Sequence, residues 1–220
     1  MKRQIVTTGD GATTIFLEEW NEHYHSKHGA INESLHVFIK NGLQLFSNRE
    51  ISILEIGFGT GLNAFITLLE SPRLHLKINY KGVEAYPINE EEVAALNYIS
   101  LLDPTQSNET FEKLHRVNWE ENHKITSDFC LRKEKKFFQE ISDENSFNLI
   151  YFDAFGARVQ PELWTEAIFQ KMYVALKANG VLVTYSAKGS VRRAMQSCGF
   201  YVERLEGPPG KREMLRATKQ

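Results

Sequence analysis

A β-branched apolar run over residues 51–56 passes directly into three alternating glycines, Gly57, Gly59 and Gly61, and then into a helical pattern from Leu62. Glycines at a strand-to-helix junction admit a tight turn and let backbone lie where a Cβ would not fit. The amides that open the following helix can meet a polar ligand. The spacing is not the dinucleotide G-x-G-x-x-G, because Leu62 stands where the third glycine belongs. A ligand-free glycine turn is the alternative at this point.

The chain of 220 residues is long enough for one full core with a small N-terminal elaboration. Its 25% charged and 42% hydrophobic residues are those of a globular domain, and no apolar run approaches membrane-spanning length. The opening decapeptide lacks the apolar core of a signal peptide. Two distant cysteines, Cys130 and Cys198, fit a reducing cytoplasm and no metal spacing. Net charge is −2, yet residues 185–220 carry eight Lys/Arg against Glu203, Glu206 and Glu213. The run 132–136 adds a second basic patch. Both read as nucleic-acid surface or as solvated faces.

Strand and helix patterns alternate from residue 31 onward. The spacing predicts a helix over 32–40 capped by Asn32, a buried strand over 51–56 and a helix over 62–70 ended by Pro72. A strand over 76–84, a helix from Glu90 to about Ser100 capped by Asn89, and mixed signals over 103–123 with a helix near 109–117 follow. Residues 129–133 and 147–153 read as strands. Pro161 opens a helix to Leu176 with Gly180 as its stop, then come a strand over 181–185 and a helix over 190–197. Residues 200–205 and 213–217 flank Gly-Pro-Pro-Gly and predict a closing pair of strands. The pattern is that of an open, mostly parallel α/β sheet, with an extension over 1–45 and the main domain over 46–220. Ligands in such sheets bind beyond the carboxyl ends of the strands, so Glu55, Glu84 and Asp153 are expected to face one crevice.

An aspartate at the end of an apolar strand pays for desolvation unless a partner meets it. Asp153 is therefore a candidate acceptor for an amine, able to orient its lone pair and take its proton; a turn-capping role is the alternative. Phe155 and Trp164 can stack on a base, although Trp164 also falls on an apolar helical stripe. The cluster His23, His25 and His28 lacks the supporting carboxylate or cysteine of a metal site, and no metal is expected.

The glycine run after Glu55 resembles the cofactor loop of class I S-adenosylmethionine (AdoMet) methyltransferases. Residues 55–63, Tyr-Phe-Asp-Ala-Phe at 151–155, Pro-Glu-Leu-Trp at 161–164, Ser-Val-Arg-Arg at 190–193 and Gly-Pro-Pro-Gly-Lys-Arg-Glu-Met at 207–214 together resemble the MnmD family. These are tRNA (5-aminomethyl-2-thiouridylate) methyltransferases, related to the methyltransferase half of bifunctional MnmC. N-terminal residues 10–13, 24–26 and 29–38 match as well, so the resemblance spans nearly the whole chain in order.

It implies a Rossmann-like fold with an antiparallel terminal strand. It also implies methyl transfer from AdoMet to the amine of 5-aminomethyl-(2-thio)uridine at the tRNA wobble position. Asp153 then matches the catalytic aspartate, and Glu84 the ribose ligand. Glu55, Gly57, Phe58, Gly59, Thr60, Gly61 and Asn63 match the cofactor loop. Lys188, Arg192, Arg193, Lys211 and Arg212 would meet the phosphates of an anticodon stem-loop, and Tyr24, Ser26 and Phe155 would lie near the crevice on the substrate side.

Two departures stand out. Lys135-Lys136-Phe137-Phe138 replaces the acidic pair expected near the adenine, leaving backbone groups, a different register, Asp128 or Glu134 to hold it. Gly156-Ala157 replaces Ala-Pro. Nothing resembles the flavin-dependent oxidase half of MnmC, so the aminomethyl base is expected to be made elsewhere. A transferase of methyl or aminopropyl groups to a small amine, and a non-catalytic AdoMet-binding subunit, are the competing readings.

Overall fold

The structure is a computed structural model that describes residues 2–102 and 109–220. Three short strands, β1 (Arg3–Thr7), β2 (Thr13–Leu17) and β3 (Glu22–His23), form a separate antiparallel sheet. Helix α1 (Ala30–Ser34) continues into a wider π-type turn over Leu35–Lys40. Asn32 therefore lies inside the helix and is not its cap. The carboxylate of Asp10, in the β1–β2 turn, accepts the Asn32 amide at 3.0 Å and does the capping from a distance.

The main sheet is built from β4 (Arg49–Ile56), β5 (Leu76–Val83), β6 (Asn122–Lys124), β7 (Phe129–Glu134), β8 (Phe147–Phe152), β9 (Leu176–Thr184), β10 (Phe200–Glu206) and β11 (Glu213–Lys219). Its order is β10-β11-β9-β8-β4-β5-β7-β6. The five central strands are parallel, and β6, β10 and β11 complete the edges in antiparallel pairs. Helices α2 (Leu62–Glu70), α3 (Glu90–Ala94), α4 (Tyr98–Leu102), α5 (Glu109–Arg116), α6 (Glu166–Ala175) and α7 (Gly189–Ser197) link the strands.

Alternation along β4 explains the two cores. Ile51 and Ile53 pack on the side that holds Phe65, Tyr80 and Tyr151, whereas Leu54 and Ile56 face Phe152, Trp164 and Phe169. Both faces of the sheet are covered, which is why its central strands read as unbroken apolar runs.

Three expected elements differ. The helix after Asn89 has the expected cap, with Asn89 and Glu92 bonding reciprocally, but it breaks after Ala94. Asn97 sits in the break because its side-chain oxygen accepts the Thr13 amide at 2.7 Å and its amide donates to the Gly11 carbonyl at 2.9 Å. The helix after Pro161 is a single tight turn, Pro161–Trp164, followed by extended Thr165 and then α6. Leu176 begins β9, and Gly180 lies within that strand and stops no helix. A Cβ at Gly180 would meet the Lys177 carbonyl at 2.8 Å, so this stretch bulges tightly where the pairing jumps from Leu176 to Val181. The expected helix near 109–117 is present as α5, while residues 103–108 of the mixed stretch lie outside the described residues.

Candidate active site

A crevice of about 1110 Å³ opens beyond the carboxyl ends of β4, β5 and β8, and the N-terminal sheet covers it. Gly57, Phe58, Gly59, Thr60 and Asn63 line it from the loop between β4 and α2, with Glu84 from the end of β5 and Asp153 from the end of β8. Tyr24, Ser26, Phe155 and Lys211 also face it.

The glycine loop works by shape. Gly57, Gly59 and Gly61 all have positive φ, at 90°, 49° and 72°. A Cβ at Gly57 would fall 2.8 Å from the Asp153 carbonyl oxygen, so only glycine lets the ends of β4 and β8 come together. Four of the loop amides are occupied within the protein. Gly57 and Phe58 donate to the Val83 carbonyl, Gly61 donates to Phe58, and Gly59 donates to Glu84 Oε2 at 3.0 Å. The other Glu84 oxygen accepts the Tyr86 amide at 2.9 Å, so this carboxylate is held rigidly at the crevice wall. Thr60 turns inward, where its hydroxyl accepts from Tyr98 at 3.0 Å and lies 3.5 Å from His25 Nε2. Burial lowers the His25 pKa to about 4 and keeps that ring neutral.

Glu55 does not face the crevice. Strand alternation puts it on the α2 side of β4, where it is 1% exposed. Asn63 donates its amide to Glu55 Oε1 at 3.0 Å and to Asp153 Oδ2 at 2.8 Å. The Asn63 oxygen accepts the Ser34 hydroxyl at 2.6 Å. Burial pushes the Glu55 carboxyl well above the usual range; the Asn63 bond opposes this and the charge of Asp153 adds to it. Asp153 is also raised well above its ordinary value, first by burial and then by Glu33, with Asn63 and Lys211 pulling the other way. Two of the three carboxylates expected at the crevice are there, and the third sits behind it.

Sequence reasoning passed over several residues in this crevice. Glu33, on α1, is 8% exposed and lines the same cavity. With Ser34 it interrupts an otherwise apolar helical stripe of Ala30, Val37 and Phe38, and that interruption was the available signal. Trp20 lines the far wall, edge-on to Phe155 at 5.5 Å, and Tyr24 meets Phe155 edge-on at 5.0 Å. Arg158 secures this aromatic wall by donating to the carbonyls of Trp20 and Asn21 and to Glu22. Trp164 is core; its indole N–H donates to the Phe155 carbonyl at 2.7 Å.

On the opposite side, neither Asp128 nor Glu134 is placed to hold an adenine. Asp128 precedes β7, at the far end of the sheet, and Glu134 is enclosed by Lys81, Arg132 and Lys136. Those cations draw its pKa down to about 2 against the effect of burial. Tyr86, Phe137 and Gln139 line the crevice there instead, with the two rings edge-to-face at 6.0 Å.

The run 132–136 is not a free basic patch. Arg132 and Lys136 are paired with Glu134, and Lys133 is 1% exposed over the Trp119 ring. Lys188, Arg193 and Arg212 are exposed outside the crevice lining. Arg192 is half-buried, and Lys211 turns inward, so neither belongs to the exposed set. His23, His25 and His28 diverge onto Phe16, Thr14 and Gly210, and among the described residues no group of His, Cys, Asp or Glu converges for a metal.

The crevice suits AdoMet on its own geometry. A fixed carboxylate, Glu84, lies beside the glycine turn, where such a group can accept the hydroxyls of a diol, and an aromatic pair with a neighbouring amide can flank a purine.

Comparison with known proteins agrees. The sequence profile of a family described as S-adenosyl-L-methionine-dependent methyltransferases matches residues 104–220, just over half the chain. A bifunctional tRNA 5-methylaminomethyl-2-thiouridine biosynthesis protein, MnmC, from Cupriavidus metallidurans is 27% identical over 95% of this chain and 33% of its own length. The MnmC of Pseudoalteromonas atlantica is 29% identical over 92% and 32%. The chain thus spans about a third of the length of these curated relatives. MnmC2 from Aquifex aeolicus has the same fold, with a TM-score of 0.78 and 24% identity over all of this chain and 71% of that one. The fold is also that of spermidine synthase from Thermotoga maritima, at TM-score 0.63 and 15% identity over 99% of this chain and 69% of that one. Motif, crevice and profile converge: the chain belongs to the S-adenosyl-L-methionine-dependent methyltransferases.

Proposed function

We propose that this protein methylates the primary amine of 5-aminomethyl-(2-thio)uridine at the tRNA wobble position, giving 5-methylaminomethyl-(2-thio)uridine. The observation that carries the reading is the position of Asp153, one loop away from Glu84 and the glycine turn and beside the aromatic wall of Trp20, Tyr24 and Phe155. Bound AdoMet supplies a methyl group activated by a sulfonium. The chain supplies the acceptor geometry. Asp153 Oδ2 is held by Asn63, while Oδ1 makes no hydrogen bond among the described residues. That oxygen can accept an amine N–H, hold the lone pair in line and take the proton released after transfer. The aromatic wall can stack on a flipped-out base.

The curated relatives, bifunctional proteins of tRNA 5-methylaminomethyl-2-thiouridine biosynthesis, favour this substrate over a free amine. Exposed Lys188, Arg193 and Arg212 offer charge for the phosphates of an anticodon stem-loop. We divide the chain at residues 45 and 46, with the N-terminal part serving as the roof over the acceptor side, and we place the protein in the cytoplasm with its tRNA. No helix among the described residues is long and apolar enough to cross a membrane.

The test is incubation with methyl-labelled AdoMet and tRNA carrying 5-aminomethyl-(2-thio)uridine, followed by nucleoside analysis. Label in the methylaminomethyl nucleoside, reduced at least about a hundredfold in Asp153→Asn, is the expected result. Label on polyamines alone would overturn the tRNA reading and favour a small-amine transferase. Donor binding with no transfer to either acceptor would favour a binding subunit.

A further inference from the structure

The turn between β10 and β11 carries two adjacent cations that face opposite ways. Arg212 is exposed, whereas Lys211 reaches into the crevice and pairs with Glu33 Oε1 on α1. The Lys211 ammonium also lies over the Tyr185 ring, 3.8 Å from its centroid. The Tyr185 hydroxyl donates to the Ala154 carbonyl at 2.9 Å, one residue beyond Asp153. Glu33 Oε2 accepts the Ser26 amide at 3.0 Å, so both its oxygens are engaged. Glycine geometry seats the turn: Gly210 has φ 83°, and a Cβ there would strike the His28 ring at 2.3 Å. Lys211 is thus delivered to the crevice by a tightly built turn, and it is not free to serve the outer surface.

We propose that the Lys211–Glu33 pair positions the acceptor carboxylate electrostatically, Lys211 as the counter-charge that draws Asp153 toward its ionised form and Glu33 as the opposing charge that limits this pull. The inference rests on the reading that an amine is methylated beside Asp153. Methylation forms a nitrogen–carbon bond as the sulfur–carbon bond breaks, leaving a cationic nitrogen. One proton must leave it, and an ionised Asp153 can take that proton. A protonated Asp153 cannot. Burial and Glu33 favour the protonated form, and Lys211 and the Asn63 amide oppose it. Among the described residues, Glu55 on β4, Tyr80 on β5 and Tyr185 after β9 also feel the charge of Asp153, and burial raises the pKa of all three, so both tyrosines stay neutral at physiological pH. Glu33 has no second cation among the described residues, so removing either partner leaves the other's charge uncompensated beside Asp153.

The two partners should therefore act with opposite sign. The carboxyl titration of Asp153 can be followed by carbon NMR on the full chain without tRNA, with Asp153→Asn assigning the signal. Lys211→Met is expected to move its midpoint up by about one pH unit, and Glu33→Gln to move it down by a similar amount. The acid limb of kcat/KM for tRNA methylation should move in the same two directions. Lys211→Arg should restore the wild-type midpoint, and with Glu33→Gln it carries the test if Lys211→Met fails to fold. Shifts of one sign for both variants, or no shift in either, would overturn the proposal. Opposed shifts in the two variants, with no tRNA methylation by the wild-type protein, would overturn the substrate assignment instead, leaving the pair's electrostatic role standing.

Discussion

Asn63 Nδ2 donates to Asp153 Oδ2 at 2.8 Å, tying the carboxylate at the tip of β8 to the first turn of α2. The same amide donates to Glu55 Oε1 at 3.0 Å, so one neutral side chain separates two carboxylates that burial and mutual repulsion both disfavour. Asn63→Ala removes the shared donor and leaves both acceptors unsatisfied. We expect a loss of about 2–3 kcal/mol in urea unfolding at pH 7, together with a fall in methyl transfer. An unchanged unfolding midpoint would contradict this account of the site.

Asp153→Asn keeps the shape of the side chain and removes its capacity to accept a proton. Transfer to the amine should fall by about 10²–10⁴-fold, while calorimetric binding of S-adenosylhomocysteine stays within a few-fold of wild type. Equal losses of binding and transfer would assign Asp153 to the donor site and not to the acceptor.

Glu55 gives a pH prediction with a definite sign. Its folded pKa lies well above its unfolded value, so the folded protein holds a proton that the unfolded chain has released. The stability linked to that proton is complete below the unfolded carboxylate pKa and is lost as pH rises toward the folded value. Glu55→Gln, whose amide oxygen can still accept from Asn63, should flatten this decline and raise the thermal midpoint at pH 8 relative to wild type. The difference should vanish near pH 4. A variant less stable than wild type at pH 8 would show that the charged form is needed.

Gly57→Ala tests the loop as a spacer. Its φ of 90° and the 2.8 Å approach to the Asp153 carbonyl leave no room for a methyl group. Donor affinity should fall at least about tenfold, with destabilisation of about 1–3 kcal/mol. Normal donor binding in a folded variant would refute the close approach.

Arg193→Ala and Arg212→Ala probe the outer face. Each should weaken tRNA binding and reduce the slope of log affinity against log salt by about one, leaving donor affinity unchanged. An unaltered salt slope in both would move the RNA path to another surface.

Much of this architecture is local in origin. The apolar runs of β4 and β8, the Asn89–Glu92 cap and the closing strands rest on contacts within a few residues or on simple alternation, and the glycine turn is marked by residue type, so they can be read along the chain. Asp153 and Glu84 are legible for the same reason, since each ends a strand whose direction is clear. Alternation also places Glu55 behind the crevice. Its parity with Ile51 and Ile53 marks the core side, a signal outweighed by its position next to the glycines. The helix break at Asn97 has no local cause; it follows from bonds to Gly11 in the β1–β2 turn and to Thr13 beside it.

Linear order thus specifies which segments become strands and which carboxylates end them, because backbone geometry and side-chain period act over a few residues. Which way a charge faces is settled by folding alone. Lys211 and Arg212 are neighbours of like charge in the chain, and nothing local distinguishes them. One turns inward because Glu33, 178 residues earlier, waits in the crevice wall; the other remains in water. Long-range electrostatics of this kind depends on distances that come into being only when the N-terminal sheet, α1 and the last hairpin close over the same strands.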